Sequence, residues 1–205
     1  MIKDKRSLLA NISDKADTYL ELGCGNRKRH PEAIGIDALD FPDVDVVGDV
    51  FDVIKCISDQ SVSGIYSYHF FEHISDFEAL FSETMRVLSP GGKLKIVVPH
   101  FSNPFYYSDV THKTTFGLYT MSYFCDDNIF KRAVPRYMRD FSSELNSVDL
   151  IFKSHPPRYI RHFFKKAFGF IVNVNSFTKE TYEENFTWMF PCYEIKFVIS
   201  KKLNI

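Results

Sequence analysis

The sequence predicts an α/β fold: a mostly parallel sheet of seven strands in three α/β/α layers, with one antiparallel edge strand. Three observations predict it. Short apolar runs bounded by turn residues alternate with polar or helical stretches through about residue 100. The central runs are nearly all apolar, as in a sheet covered on both faces. Two further runs near the end of the chain read as strands that close the sheet as an antiparallel pair at its edge.

The elements follow in order. "TYLEL" (18–22), "AIGI" (33–36), "VDVVG" (44–48), "SGIYSY" (63–68) and "KLKIVVP" (93–99) are the first five strands. The first runs into Gly23-Cys24-Gly25, a turn open enough for a ligand to touch the backbone. The link from there to Asp37 is short, so its connecting helix is stunted or missing. "ISDFEALFSETMRVL" (74–88) is a helix: Phe77, Leu80, Phe81, Met85 and Leu88 recur at helical spacing, and Ser75 or Asp76 can cap its start. Pro90-Gly91-Gly92 turns the chain into the fifth strand.

After residue 100 the period breaks down, and "FSNPFYYSDVTHKTTFGLYTMSYF" reads as an irregular lid. "SVDLIFKSH" (147–155) and "CYEIKFVISKKL" (192–203) are the closing strands. Between them "RYIRHFFKKAFGFI" is an amphipathic helix with Arg158, Arg161, His162, Lys165 and Lys166 among bulky apolar residues. Either its apolar face caps the core, or it lies on an anionic membrane or a phosphate-bearing lipid carrier. The expected organisation is one domain, 1–205: a core about 15–100, a lid about 101–145, and closing strands with the helix about 146–205.

Composition bounds the function. The chain has 205 residues, 45% hydrophobic and 25% charged, with a formal net charge of -1, so nothing points to a nucleic-acid partner. "MIKDKR" predicts no secretory leader, and no apolar run is long enough to span a bilayer. Four scattered cysteines without a C-x-x-C pair fit reduced thiols in a cytoplasm. The 21 Phe and 11 Tyr are mostly core packing, with some available to wall a substrate pocket.

In open parallel sheets ligands sit beyond the carboxyl ends of the strands, which makes Glu21–Asn26 a candidate site. Asp37, ending the second strand, can accept hydrogen bonds from ribose hydroxyls. Asp49, ending the third, can accept from an adenine amino group. A strand-end Asp can equally cap a turn. A dinucleotide fingerprint needs a third glycine where Lys28 stands, and the Walker frame is absent.

The run "ELGCG … GID … GDV … IYSYHFFEHISD … MRVLSPGGKLKIVVPH" resembles the class I S-adenosylmethionine-dependent methyltransferases over about residues 18–100. "THKTTF" and "FPCYEIKFVIS" resemble a subset of small bacterial methyltransferases associated with surface-polysaccharide pathways. The resemblance implies a Rossmann-like fold and S-adenosylmethionine as cofactor. It places the methionine moiety on Glu21, Gly23, Cys24, Gly25 and Asn26, the ribose on Asp37, and the adenine beside Ala38, Leu39, Asp49 and Val50. His69 falls near the sulfonium end. It implies a small-molecule or glycan acceptor, possible lipid linkage included, and methylation of a hydroxyl.

A neutral alcohol needs a base, and histidine suits that task. His100 follows the fifth strand directly. His112 lies in the lid three residues after Asp109, a pairing that could orient a base. His73 sits beside Glu72. Asp109, His112, Asp126 and Asp127 could hold magnesium, but their spacing matches no ligand pattern, and no metal is expected. Cys24 is expected to pack as a small apolar residue. Two alternatives stay open: an NAD-type oxidoreductase, and a non-catalytic interaction module on the same fold.

Overall fold

The computed structural model describes residues 2–14, 17–135 and 142–203; the part of the expected lid at 136–141 lies outside them. The strands are β1 Lys3–Asp4, β2 Tyr19–Leu22, β3 Ile34–Asp37, β4 Val46–Val47, β5 Val62–Tyr68, β6 Leu88–Pro99, β7 Asp126–Asp127, β8 Ser143–Ile151 and β9 Glu194–Lys201. The helices are α1 Val50–Lys55, α2 Phe77–Val87, α3 Tyr159–Val172 and α4 Ser176–Asn185. All nine strands join one sheet in the order β1-β4-β3-β2-β5-β6-β9-β8-β7.

The seven expected strands form the body of this sheet, and the two-residue strands β1 and β7 extend its edges. The central pairs β4–β3, β3–β2, β2–β5 and β5–β6 are parallel. β9 runs antiparallel to both β6 and β8, so the closing strands form the antiparallel edge region expected of the sheet. The outermost antiparallel pairing is β1 on β4.

Register divides the side chains between two faces. Leu20, Ile65, Leu94, Ile199 and Leu145 lie in one row across the sheet, and Leu22, Ser67, Ile96, Phe197 and Val148 in the next. This face is buried, and its apolar residues share a core with Val53 and Ile54 of α1 and Leu80, Phe81 and Met85 of α2. On the other face stand Glu21, Tyr66, Lys95, Val198 and Ser147, then Tyr68, Val97, Lys196 and Asp149. Its cover is thinner than a full helical layer. The crossovers 23–33 and 38–45 contain no helix, because each is shorter than the dozen or so residues a helical crossover takes. In place of a helix, the His30 ring stacks on Tyr66 at 3.6 Å and the Arg29 guanidinium sits 4.1 Å over Tyr68.

Element boundaries moved for local reasons. Asp76 caps α2 by accepting from the Ala79 N–H, and Leu88 leaves the helix with ψ 135° straight into β6. Leu88 pairs with Val62, then pairing resumes at Gly64 and Lys93, so "SPGG" is looped out of a longer strand. The register of β8 slips between Leu145 and Ser147. That bulge breaks the alternation that would have announced the strand from Ser143 onward.

α3 does not cap the core as its apolar face would allow. Of its residues only Gly169 and Val172 are buried. Ile160, Phe163 and Phe170 are 77%, 68% and 80% exposed.

Candidate functional site

The glycine turn is fixed from both sides. The Gly23 and Cys24 N–H groups donate to the Ile36 carbonyl at 2.9 and 3.3 Å, tying β2's end to β3. Gly23 and Gly25 have φ of 66° and 60°, which favours glycine at both. A Cβ on Gly23 would meet the Phe70 ring at 2.4 Å, whereas one on Gly25 would stand in open space. Gly23 is therefore required by the protein's own packing. Gly25 keeps open the room a bound nucleoside would use.

The strand-end acids have local partners. Asp37 accepts from the Gly25 N–H at 2.8 Å and the Leu39 N–H at 2.9 Å, so it stands at the turn's edge. Glu21 is buried and accepts from the backbone N–H groups of Arg29 and His30. Asp49 caps α1 through the Phe51 N–H, Val50 is buried beside it, and Ala38 is exposed at the end of β3. Lys28 spans the crossover, with its ammonium 2.6 Å from Asp45 and 2.9 Å from the Ala33 carbonyl. Cys24 is buried, and burial pushes its thiol up to about 12, so it is an inert packing residue.

A cleft of about 690 Å³ opens here, lined by Glu21, Gly23, Cys24, Asn26, Arg27, Lys28, Arg29, Pro31, Tyr68 and His69. Five of the expected cofactor residues line it, His69 among them. His69 has φ 53°, unusual for a non-glycine residue, and turns the chain at the end of β5. Its Nε2 bonds Glu194 at 2.7 Å and its Nδ1 lies 3.4 Å from Glu72. Burial opposes its charge, but the two carboxylates outweigh it and push the imidazole up to about 9. Lys153 also pairs with Glu194. Burial alone would raise the Glu194 carboxyl, but these two cations hold it below its usual range.

Beyond His69 the chain gathers a second group. His112 Nδ1 donates to the Tyr106 carbonyl at 2.8 Å, and its Nε2 lies 3.6 Å from Asp109. Asp109 accepts from the Thr111 N–H and hydroxyl, which hold its carboxyl below the usual range. His73 joins through Thr111 at 2.9 Å, and its ring lies 4.9 Å from that of His112. At the centre is Glu72, 1% exposed. Only its place between His69 and His73 in "YHFFEH" hinted at a role for it in the sequence.

The expected role of His100 needs correction. It is fully buried; Nδ1 accepts from the Ser102 N–H, and Nε2 bonds Glu183 at 3.0 Å. Glu183 also accepts from the Leu118 N–H. With both ring nitrogens committed, His100 braces the lid against α4 and has no lone pair for an acceptor. Asp126 and Asp127 are likewise placed elsewhere, on β7, where they pair with Lys202 and Ser122. They do not meet Asp109 and His112.

Residues 20–96 match the family described as a methyltransferase domain. Such a domain takes S-adenosylmethionine as its methyl donor, and the open space over Gly25 beside a strand-end carboxylate fits a nucleoside there. Solved structures agree in fold. A SAM-dependent methyltransferase from Archaeoglobus fulgidus superposes with a TM-score of 0.59 at 16% identity, covering 94% of this chain and 89% of that one. The methyltransferase in complex with the Haloferax volcanii Trm112 activator gives 0.54 at 19%, covering 92% and 84%. Haemonchus contortus phosphoethanolamine N-methyltransferase 2, solved with S-adenosyl-L-methionine, gives 0.52 at 15%, covering 96% of this chain and 52% of that one. A search of curated proteins finds no match.

Proposed function

We propose that this chain transfers the methyl group of S-adenosylmethionine to a hydroxyl of a sugar or surface-polysaccharide intermediate. One observation carries the hydroxyl: the Tyr106 carbonyl fixes the tautomer of neutral His112, leaving Nε2 a lone pair in the cluster that adjoins His69 of the cleft. An alcohol needs such a group to become a nucleophile. The sugar class rests on the resemblance of "THKTTF" and "FPCYEIKFVIS" to polysaccharide-associated methyltransferases.

The donor, when bound, supplies a methyl group already activated on sulfonium. The protein's part is to hold and align. In this reading Glu21–Asn26 hold the methionine end through the backbone, Asp37 the ribose, and Ala38, Asp49 and Val50 the adenine. His69 closes the cleft at the reacting end. Alignment of this kind is worth about 7–11 kcal/mol.

Two measurements test the reading. In titration calorimetry S-adenosylmethionine and S-adenosylhomocysteine bind and NAD does not. NAD binding alone would make the chain an oxidoreductase, and no binding at all would leave an interaction module. With methyl-labelled donor and sugar acceptors, label enters an alkali-stable ether; label on an amine would overturn the hydroxyl.

Contact with an anionic membrane surface belongs to the same reading, as does a cytoplasmic setting. α3 contains no acidic residue, and Arg158, Arg161, Lys165 and Lys166 accompany its exposed apolar side chains. Trp188 and Met189 extend the exposed apolar surface. Arg161 and Lys165 border an apolar cleft of about 280 Å³ floored by Phe152, Phe168 and Phe190. That pairing of cations with exposed aromatics suits the interface of an anionic phospholipid bilayer. Among the described residues no helix is long and apolar enough to cross a membrane. Low-salt co-sedimentation with phosphatidylglycerol vesicles, and not with phosphatidylcholine alone, is the expected result. No retention, or a dimer that buries this surface, would overturn it.

A further inference from the structure

Glu72 poses a problem that methyl transfer alone does not solve. Its side chain is 1% exposed, and neither carboxylate oxygen has a hydrogen-bond partner. His69 Nδ1 faces Oε1 at 3.4 Å as its one close cation among the described residues, and a buried carboxylate with neither oxygen hydrogen-bonded is costly and rare in native proteins. The ligand-type atoms of Glu72, His73 and His112 all lie within 4.8 Å of one another.

The protons around these groups can be assigned from their partners. The Tyr106 carbonyl can only accept, so in the neutral ring the His112 proton is on Nδ1 and Nε2 bears a lone pair. The Thr111 hydroxyl gives its hydrogen to Asp109 at 2.6 Å, so toward His73 it must accept. The His73 proton is therefore also on Nδ1, and its Nε2, 4.0 Å from Glu72 Oε1, bears a lone pair. A buried carboxylate and the lone pairs of two neutral imidazoles thus converge with no hydrogen shared among the three. Each imidazole is held by a hydrogen bond on its far nitrogen, as metal-binding histidines are. His69 Nδ1 approaches Oε1 at 3.4 Å, but its Nε2 is engaged by Glu194.

We propose that Glu72, His73 and His112 bind a first-row divalent metal ion such as zinc, cobalt or iron, next to His69 of the cleft. Two imidazoles with one carboxylate suit these ions better than magnesium or calcium, which favour all-oxygen shells. Bonds of about 2.0–2.1 Å bring such donors to roughly 3–3.5 Å from one another, so the three draw together on loading. Three protein ligands leave a coordination position open. The site stands on geometry alone; its role rests on the proposed hydroxyl acceptor. With the ion bound, His112 Nε2 is a ligand and no longer the base; the ion lowers the hydroxyl's pKa in its place, and the proton passes to water.

The test is cobalt(II) titration of the chelator-treated full chain, followed by visible absorption and by bound-metal analysis. One equivalent binds and produces the ligand-field bands of a low-symmetry site. His73→Ala and His112→Ala each weaken binding at least tenfold, and Thr111→Val, which frees the His73 ring, weakens it about 10–100-fold. Glu72→Gln serves as a near-isosteric variant should a histidine variant fail to fold, and His155→Ala binds as the parent does. No ligand-field bands, or bands unchanged in the folded Glu72 and histidine variants, would overturn the site. Because cobalt is read without cofactor, that failure is separate from failure of S-adenosylmethionine to bind in calorimetry.

Discussion

The two ends of the cleft are built on different principles. At the end proposed for the cofactor, the groups are backbone turns and strand-end carboxylates, held by the parallel ladder of β2, β3 and β5. Gly23 and Asp37 are placed by hydrogen bonds within this local frame. At the acceptor end the groups are side chains. Glu72 and His73 follow β5, His112 comes from the lid, and Glu194 arrives on β9. The first end is disturbed by changes to the backbone frame or by a side chain that enters the space over Gly25. The second can lose chemistry one side chain at a time.

Substitutions should separate the two. Gly23→Ala has the largest expected effect, since its Cβ would strike Phe70 at 2.4 Å while the backbone stays at φ 66°. A loss of about 3 kcal/mol or more in urea unfolding is expected. Unchanged stability would break the comparison. His112→Ala should lower kcat by about 10²–10⁴-fold with S-adenosylmethionine affinity unchanged, measured by kinetics and calorimetry side by side.

Gly25→Ala sharpens the cofactor end: with no clash, it should cost about 1–3 kcal/mol of backbone strain. Its larger effect should be weaker cofactor binding, because the new methyl enters the cleft. His100→Ala tests whether the lid brace is structural. A stability loss of about 1–3 kcal/mol from the uncovered Glu183 carboxylate is expected, visible in thermal melts. The smallest effect belongs to Phe163→Asp, within about 0.5 kcal/mol of the parent in stability. It should nonetheless abolish retention on anionic vesicles, since Phe163 is exposed.

How far the sequence could be read follows the same division. The cofactor end was legible because its signals are local: Gly-x-Gly after an apolar run, acids at the ends of the next two strands, "LSPGG" after a helix. Even the absent first helix could be read, from the short link to Asp37. Glu72 was not singled out, because nothing near it in sequence says that it is buried without a partner. His100 looked like a base by position, yet Glu183, 83 residues away, occupies its second nitrogen. Asp126 and Asp127 looked like companions of Asp109, but their strand carries them to the sheet's far edge.

By itself, the sequence determined the α/β class, the strand that ends in the glycine turn, and S-adenosylmethionine as the cofactor. Period, turn chemistry and residue size act over a few neighbouring residues, and these suffice for that much. Only the tertiary structure decided which histidines keep a lone pair, which carboxylate is left unpaired, and that α3 shows its apolar side chains to solvent. Those properties depend on partners brought together from distant segments, and burial is set by the whole fold.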